Sequence, residues 1–380
     1  MTREQYLDIL LLVSTLESMI IAHKVPVPDH LFDALSKAVE LLRREQDVTV
    51  LHLCLPAQAG SPVDEAESMR IVRVPFSFAQ PATFPGAVRA LKALLHTHDV
   101  LHTMALPALI PARFVRVRQP WVHTEHYSAL VTPPASVRSA VSLRLLKTLF
   151  ARPTETVAVS AALGRVIDQH RRRPSTVIGN EVMTPVDAVT DRAIPARMRL
   201  IAVGGLVARK GPDIAVRALA LLRARGIDAD LVWVGSGPLE ADVPAIAAEE
   251  GVGGHVRLAG QLSPAELSSE LLAADIFVLP VETETFGVAI AEGLAHGLPV
   301  VATGTGGHEE FLPREASRLV RPRTPQAVAD AILDLRDDPE RWSRTRIAAD
   351  AARRFSPEAR RDAYREVYAR ALAERPAAQR

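Results

Sequence analysis

The chain has 380 residues, 48% of them apolar and 23% charged, a size and balance that suit two soluble domains better than one core. Its net charge of +1 excludes a global electrostatic case for nucleic-acid binding, and the single cysteine, Cys54, excludes an intrachain disulfide and fits a reducing cytoplasm. The longest apolar run near the start, Ile9 to Val13, is far short of the ~18 residues a membrane helix needs, and Glu4 and Asp8 argue against a signal peptide.

Residues 8–13 read as a buried strand. Asp29 caps an expected helix with apolar residues at Leu31, Phe32, Leu35, Ala38, Val39 and Leu42, the spacing of one buried face. Strands follow at 48–53, 70–74, 100–103, 121–124, 156–159 and 176–178. Strands alternating with helices over short connections predict a parallel, doubly wound sheet. From 182 to 199 the chain is rich in Pro, Thr and Asp without periodicity, as a linker would be. A second alternation has strands at 200–203, 231–234, 256–259, 276–279, 300–303 and 318–320. Its first helix has Pro212 at the start and Gly226 just past the end, the usual asymmetry of helix termini. Two amphipathic helices, 339–355 and 357–374, finish the chain.

The most informative stretch is 275–310. A strand ends at Pro280, a polar loop carries Glu282 and Glu284, and Phe286-Gly287 opens a helix that carries Glu292. A second strand then runs into Gly306-Gly307-His308-Glu309-Glu310. Acidic residues and glycines thus gather at strand C-terminal ends, where open α/β sheets bind ligands. Earlier, VGGLVARKG at 203–211 sets Arg209 and Lys210 before a helix N-terminus, a place suited to a diphosphate. LVWVGSGP at 231–238 and HVRLAGQL at 255–262 add further strand-end turns. In the first half, VHTEHYSAL at 122–130 puts His126 after a strand. His98 and His102 are spaced as metal ligands could be, but are expected around a strand rather than on one helical face, so no metal is assigned.

The Glu284-x7-Glu292 spacing resembles the paired-glutamate signature of GT-B retaining glycosyltransferases of family 4. The likeness is strong over 200–355, moderate over 95–182 and weak before 50. It implies an α/β fold of two Rossmann-like, doubly wound parallel-sheet domains facing across a cleft. The domains are set at 1–185 for the acceptor side and 200–355 for the nucleotide sugar. Residues 186–199 link them, and 356–380 form a helix crossing back to the first domain. By resemblance His126, Lys210 and Glu284 are catalytic, with Lys210 clamping the departing diphosphate and Glu284 beside the transferred sugar. Glu292 takes the ribose hydroxyls. The amides of Phe286, Gly287 and Val288 take phosphate, together with Arg209, and Gly306, Gly307 and Glu310 complete the turn. Gly235, Arg257 and Leu258 border the base.

The implied reaction moves a hexose or amino-hexose from a nucleotide sugar, UDP being the commonest in the family, to an unidentified acceptor. Configuration is retained, and neither metal nor cofactor is needed. The acceptor could be a small molecule, lipid-linked or a polysaccharide. Two departures matter. Gly205 stands where the family has Arg, and 14–28 lacks the usual glycine loop, so His23 and Lys24 are its polar candidates for the acceptor side, with Ser160 and Asn180. A non-catalytic homologue acting as a partner protein, or a GT-B epimerase or phosphorylase, stays open. Cations cluster between Arg138 and Arg173 against only Glu155 and Asp168, either as a solvated face or as peripheral contact with anionic lipid.

Overall fold

The computed structural model describes residues 8–14, 47–54, 63–66, 69–77, 80–131, 136–183, 185 and 187–374. The helix expected after Asp29, and His23 and Lys24, lie outside these residues. The chain divides into two compact units, Met1–Gly179 with Pro357–Arg380, and Asn180–Ser356.

The described strands of the first unit are β1 (Asp8–Ser14), β2 (Asp47–Cys54), β3 (Val63–Ala66), β4 (Met69–Pro75), β5 (Val100–Met104), β6 (Trp121–Glu125), β7 (Glu155–Ala158) and β8 (Thr176–Val177). They form one sheet in the order β3-β4-β2-β1-β5-β6-β7-β8. All neighbours are parallel except β3, which runs antiparallel to β4 with Val63 opposite Val72 and Ala66 opposite Met69. That edge strand departs from the expected all-parallel sheet. Its sequence, VDEA, offers neither an apolar run nor alternation for a reader to find. The helix Phe84–Leu95 buries Ala87, Leu91 and Leu95, a four-residue spacing that puts one stripe on the sheet. The helix Pro357–Ala373 belongs to this unit and packs Tyr364, Val367, Tyr368 and Ala371 into a core shared with Val100, Val122, Val157 and Ile178.

The second unit has β9 (Met198–Val203), β10 (Ala229–Val234), β11 (Val256–Gly260), β12 (Ile276–Leu279), β13 (Thr283–Glu284), β14 (Val300–Thr303), β15 (Thr305–Gly306) and β16 (Ser317–Val320). Its main sheet runs β11-β10-β9-β12-β14-β16, every pair parallel. Strand order reverses between β9 and β12, so the loops after these two strands border the crevice where such sheets take ligands. Ile276–Leu279 and Val300–Thr303 are buried throughout, as central strands covered on both faces must be. The pair β13 and β15 forms a small parallel ladder of its own, Thr283 beside Thr305 and Glu284 beside Gly306.

The helix expected over 339–355 is not continuous. Pro339–Arg341 makes a single 3-10 turn and Trp342 is extended at φ −135°, ψ 157°. The helix proper, Arg344–Phe355, starts only after Ser343, whose Oγ accepts from the Arg346 amide at 3.2 Å. Arg344 fixes this start. Buried, it donates to the carbonyl oxygens of Ala274 at 2.8 Å, Leu272 at 3.1 Å and His296 at 3.4 Å, satisfying the C-terminal ends of two neighbouring helices.

Candidate functional site

At the C-terminal ends of β9 and β12 the structure brings together the two loops that the sequence singles out. The first loop closes with a 3-10 turn, Ala208–Lys210, followed by Gly211 in the left-handed region at φ 71°. The second leaves β12 through Pro280 and returns as β13. Their backbones touch, the Glu282 amide donating to the Arg209 carbonyl at 2.8 Å. A Cβ on Gly211 would stand 2.3 Å from the Pro280 carbonyl oxygen, so glycine there permits the approach. The contact places Lys210 and Glu284 together: the Lys210 ammonium donates to Glu284 Oε1, and the Arg209 guanidinium lies 3.7 Å from the same oxygen. Both Lys210 and Glu284 are largely buried. A carboxylate between two cations, at a switch point, holds positive charge in readiness for an anion.

Gly306 closes the ladder above Glu284. At φ 134° it runs so close that an added Cβ would lie 1.8 Å from the Glu284 carbonyl oxygen. Its amide donates to Glu309 Oε1 at 2.9 Å, and Glu309 Oε2 accepts from Arg321 at 2.7 Å. Gly307 begins the short 3-10 turn Gly307–Glu310, in which Glu310 is exposed and His308 is buried. His308 Nε2 lies 3.1 Å from the Thr303 carbonyl oxygen, and burial holds its imidazole pKa down. Gly287, at φ 96°, is the N-cap of the helix Val288–Ala295. The first-turn amides of that helix, from Val288 onward, have no acceptor within it. Phe286 is buried against Phe311 and Phe355, ring centroids 5.0 and 5.6 Å away, which anchors the loop before the cap. Glu292 sits one helical turn further on, half-buried.

The turn after β10 meets the first loop on one side and the end of β11 on the other. The Trp233 indole donates to the Gly204 carbonyl at 2.8 Å, and the Gly235 amide to the Gly260 carbonyl at 2.7 Å. A Cβ on Gly235 would be 2.3 Å from the Gly204 carbonyl oxygen. Gly235 is therefore explained by backbone packing, whatever else it borders. The Arg257 side chain turns away to Glu270, at 2.6 Å, while Leu258 is half-buried in β11. Asn180, half-buried, opens this unit.

In the first unit β5 ends at a strained residue: Ala105 has φ 63° and ψ 147°, a region essentially reserved for glycine. Beside it β6 ends in Glu125, fully buried. Its Oε1 accepts from the amides of His126 at 2.9 Å and Tyr127 at 2.7 Å, and its Oε2 lies 3.3 Å from His123 Nε2. Burial raises the Glu125 carboxyl to about 7 and lowers the His123 imidazole to about 3. Behind it a chain runs from the Trp121 indole N–H to Thr103 Oγ1, 2.9 Å, and on to His123 Nδ1, 2.9 Å. His126, half-buried, is thus presented on a loop that a buried carboxylate organises. Ser160 is spent locally, its Oγ accepting from Leu163 N as a helix N-cap. His98 bonds the Leu94 carbonyl at 2.7 Å, whereas His102 lies between Tyr368 Oη at 2.7 Å and Thr124 Oγ1 at 2.8 Å. Among the described residues no cluster of three His, Cys, Asp or Glu could hold a metal ion, and no helix is long and apolar enough to cross a membrane.

Residues 34–184 match the family model for Glycosyltransferase Family 4, and 197–338 the model for Glycosyl transferases group 1. A D-inositol 3-phosphate glycosyltransferase from Corynebacterium urealyticum is 30% identical over 312 residues, 73% of this chain and 73% of the relative. The chain belongs to this glycosyltransferase family. A GDP-mannose-dependent alpha-(1-6)-phosphatidylinositol monomannoside mannosyltransferase from Mycobacterium tuberculosis is 35% identical over 153 residues, 38% of this chain and 40% of that protein. The crystal structure of Anabaena Alr3699/HepE in complex with UDP superposes with a TM-score of 0.77 at 18% identity, covering 95% of this chain and 99% of that one. At that identity the likeness speaks for the GT-B fold.

Three residues of interest lie outside the sequence expectations. Glu125 and His308 were inside quoted motifs, and nothing in their spacing marks them as buried. Arg323 follows β16 in the run Arg321-Pro322-Arg323, and cations just past a strand end were the available signal. Its Nε donates to the Pro280 carbonyl at 2.6 Å, and its Nη2 to those of Ala208 at 2.9 Å and Arg209 at 3.3 Å.

Proposed function

We propose that the protein transfers a hexose or amino-hexose from a nucleotide sugar, UDP-linked by first expectation, to an acceptor hydroxyl, with retention of configuration and without a metal. The observation that carries this reading is the meeting of Lys210, Arg209 and Glu284 at the switch point, beside the uncapped amides of the helix Val288–Ala295. The diphosphate gains charge as the glycosidic bond breaks. Lys210 and the helix amides stabilise that developing charge electrostatically. Lys210 would then exchange part of its contact with Glu284 for phosphate oxygens, leaving the Glu284 carboxylate to accept sugar hydroxyls. Glu292 receives the ribose. His126, on a loop whose amides Glu125 accepts, is the first unit's catalytic candidate by family resemblance.

A partner role without catalysis is the second reading, favoured by Gly205 where the family carries Arg. The test incubates the protein with UDP-, GDP-, ADP- and dTDP-sugars and follows nucleoside diphosphate release and the anomeric signal of the product by NMR. Release with a product anomer matching the donor is expected. Binding of nucleotide sugars without turnover, with or without candidate acceptors, favours the partner role, and an inverted anomer sinks retention.

A further inference from the structure

Arg323 has an unusual set of partners. Its guanidinium reaches three backbone carbonyls and, among the ion pairs of the described residues, takes part in none. Two of the carbonyls, Ala208 and Arg209, belong to the 3-10 turn that ends in Lys210. The third, Pro280, belongs to the strand-end loop that leads into Glu284. The side chain therefore ties together the two loops whose contact makes the Lys210–Glu284 pair. The fit is close: a Cβ on Gly211 would be 2.8 Å from Arg323 Nη2 as well as 2.3 Å from the Pro280 oxygen. A planar guanidinium with several N–H groups at fixed angles suits carbonyls on two loops at once, and a lysine ammonium lacks that fork. Among the described residues no carboxylate pairs with the arginine, which lies behind a loop that already carries Arg209 and Lys210.

We propose that Arg323 is a positioning residue for the donor diphosphate: it fixes the backbone from which Lys210 and Glu284 project, and it acts on the nucleoside diphosphate through Lys210. This rests on the donor-site reading given above. A merely structural arginine would lower thermal stability and affect every ligand alike. A positioning arginine weakens diphosphate ligands, spares the nucleoside, and loses its effect once Lys210 is gone.

The experiment is a double-mutant cycle on the full chain, with Arg323→Ala, Lys210→Ala and both together. Calorimetry measures UDP and GDP binding, and competition measures the bare nucleosides. The expected result is a loss of about tenfold or more in diphosphate affinity for Arg323→Ala. Nucleoside affinity should stay within about twofold, and Arg323→Ala should add little in the Lys210→Ala background, since coupled residues fail to add. Arg323→Lys, which keeps charge but not the fork, should fall between wild type and Ala, and supplies the reading if Arg323→Ala does not fold. Full additivity with Lys210→Ala would overturn the proposal, as would equal losses for diphosphate and nucleoside. Unchanged diphosphate binding would overturn it and leave the donor site standing. A wild-type protein that binds no nucleoside diphosphate would overturn the donor-site reading, and this inference with it.

Discussion

Lys210 and Glu284 drew notice in the sequence through their motifs. The structure adds that they form one ion pair. If Lys210 stabilises the leaving diphosphate, Lys210→Ala should lower kcat more than it raises the donor KM, as steady-state kinetics on the best donor of the panel will read. Near-normal kcat would move the clamp to Arg209. Gly205 yields an opposite prediction. An added Cβ there meets nothing closer than the Ser236 carbonyl oxygen at 3.6 Å, an ordinary contact, so the backbone admits a side chain at this position. Gly205→Arg should fold normally and tighten nucleoside diphosphate binding several-fold by calorimetry, and weakened binding would show that the site is built for its absence. Other residues were legible by type but not by reason. Gly235 and Gly306 were read as ligand contacts, and the structure shows that each is first required by a carbonyl lying where its Cβ would be. Arg323 was illegible, because its role depends on two loops, 115 and 43 residues away in the chain, meeting beside it.

At the scale of elements, period and punctuation carried the reading well where helices cover central strands, as in β9, β10, β12 and β14, and did not find the short β13 and β15. They failed where the decisive partner is distant. Pro339 looked like a helix start, yet the helix begins at Arg344, set by that residue's carbonyl partners and by Ser343, whose hydroxyl donates to Asp191 at 2.9 Å. β3 was missed because edge strands need no apolar pattern. The helix Val137–Lys147 shows its exposed apolar residues only in the structure. Val137 at 82%, Val141 at 55% and Leu145 at 66% exposure stand four residues apart on one line, with Arg144 and Lys147 in the last turn. We propose that this face rests on anionic lipid. Sedimentation with phosphatidylserine vesicles should pull the protein down at low salt, less at high salt and less for Leu145→Ser. Equal sedimentation with neutral vesicles, or none with anionic ones, contradicts the proposal.

For the whole molecule, two consecutive α/β alternations made the two-unit GT-B plan legible. Buried ionisable groups were not, since nothing local marks a histidine as internal. They contribute to the pH response. Burial lowers His52 to about 4 and His102 and His123 to about 3. They stay neutral in the fold while the unfolded chain takes up protons below pH 6.5, so their contribution is present above 6.5 and is lost as pH falls. Glu125 works the other way. Raised by burial to about 7, it favours the fold at acid pH and loses that contribution as pH rises from 4.5 through 7. Three histidines outweigh one carboxyl, so the melting temperature by scanning calorimetry should fall between pH 6.5 and 4.5, and Glu125→Gln should steepen the fall. A flat or rising profile would show that these histidines are not held neutral.

The central claim is that the loops after β9 and β12, with the helix after Gly287, grip the diphosphate of a nucleotide sugar. A crystal structure with UDP, or with whichever nucleoside diphosphate binds tightest, tests it most directly. The account predicts phosphate oxygens within hydrogen-bond reach, about 3 Å, of Lys210 Nζ and the first-turn amides at Gly287 and Val288, with the ribose on Glu292. A nucleotide seated elsewhere, or one that leaves the Lys210–Glu284 pair and those amides untouched, would contradict it.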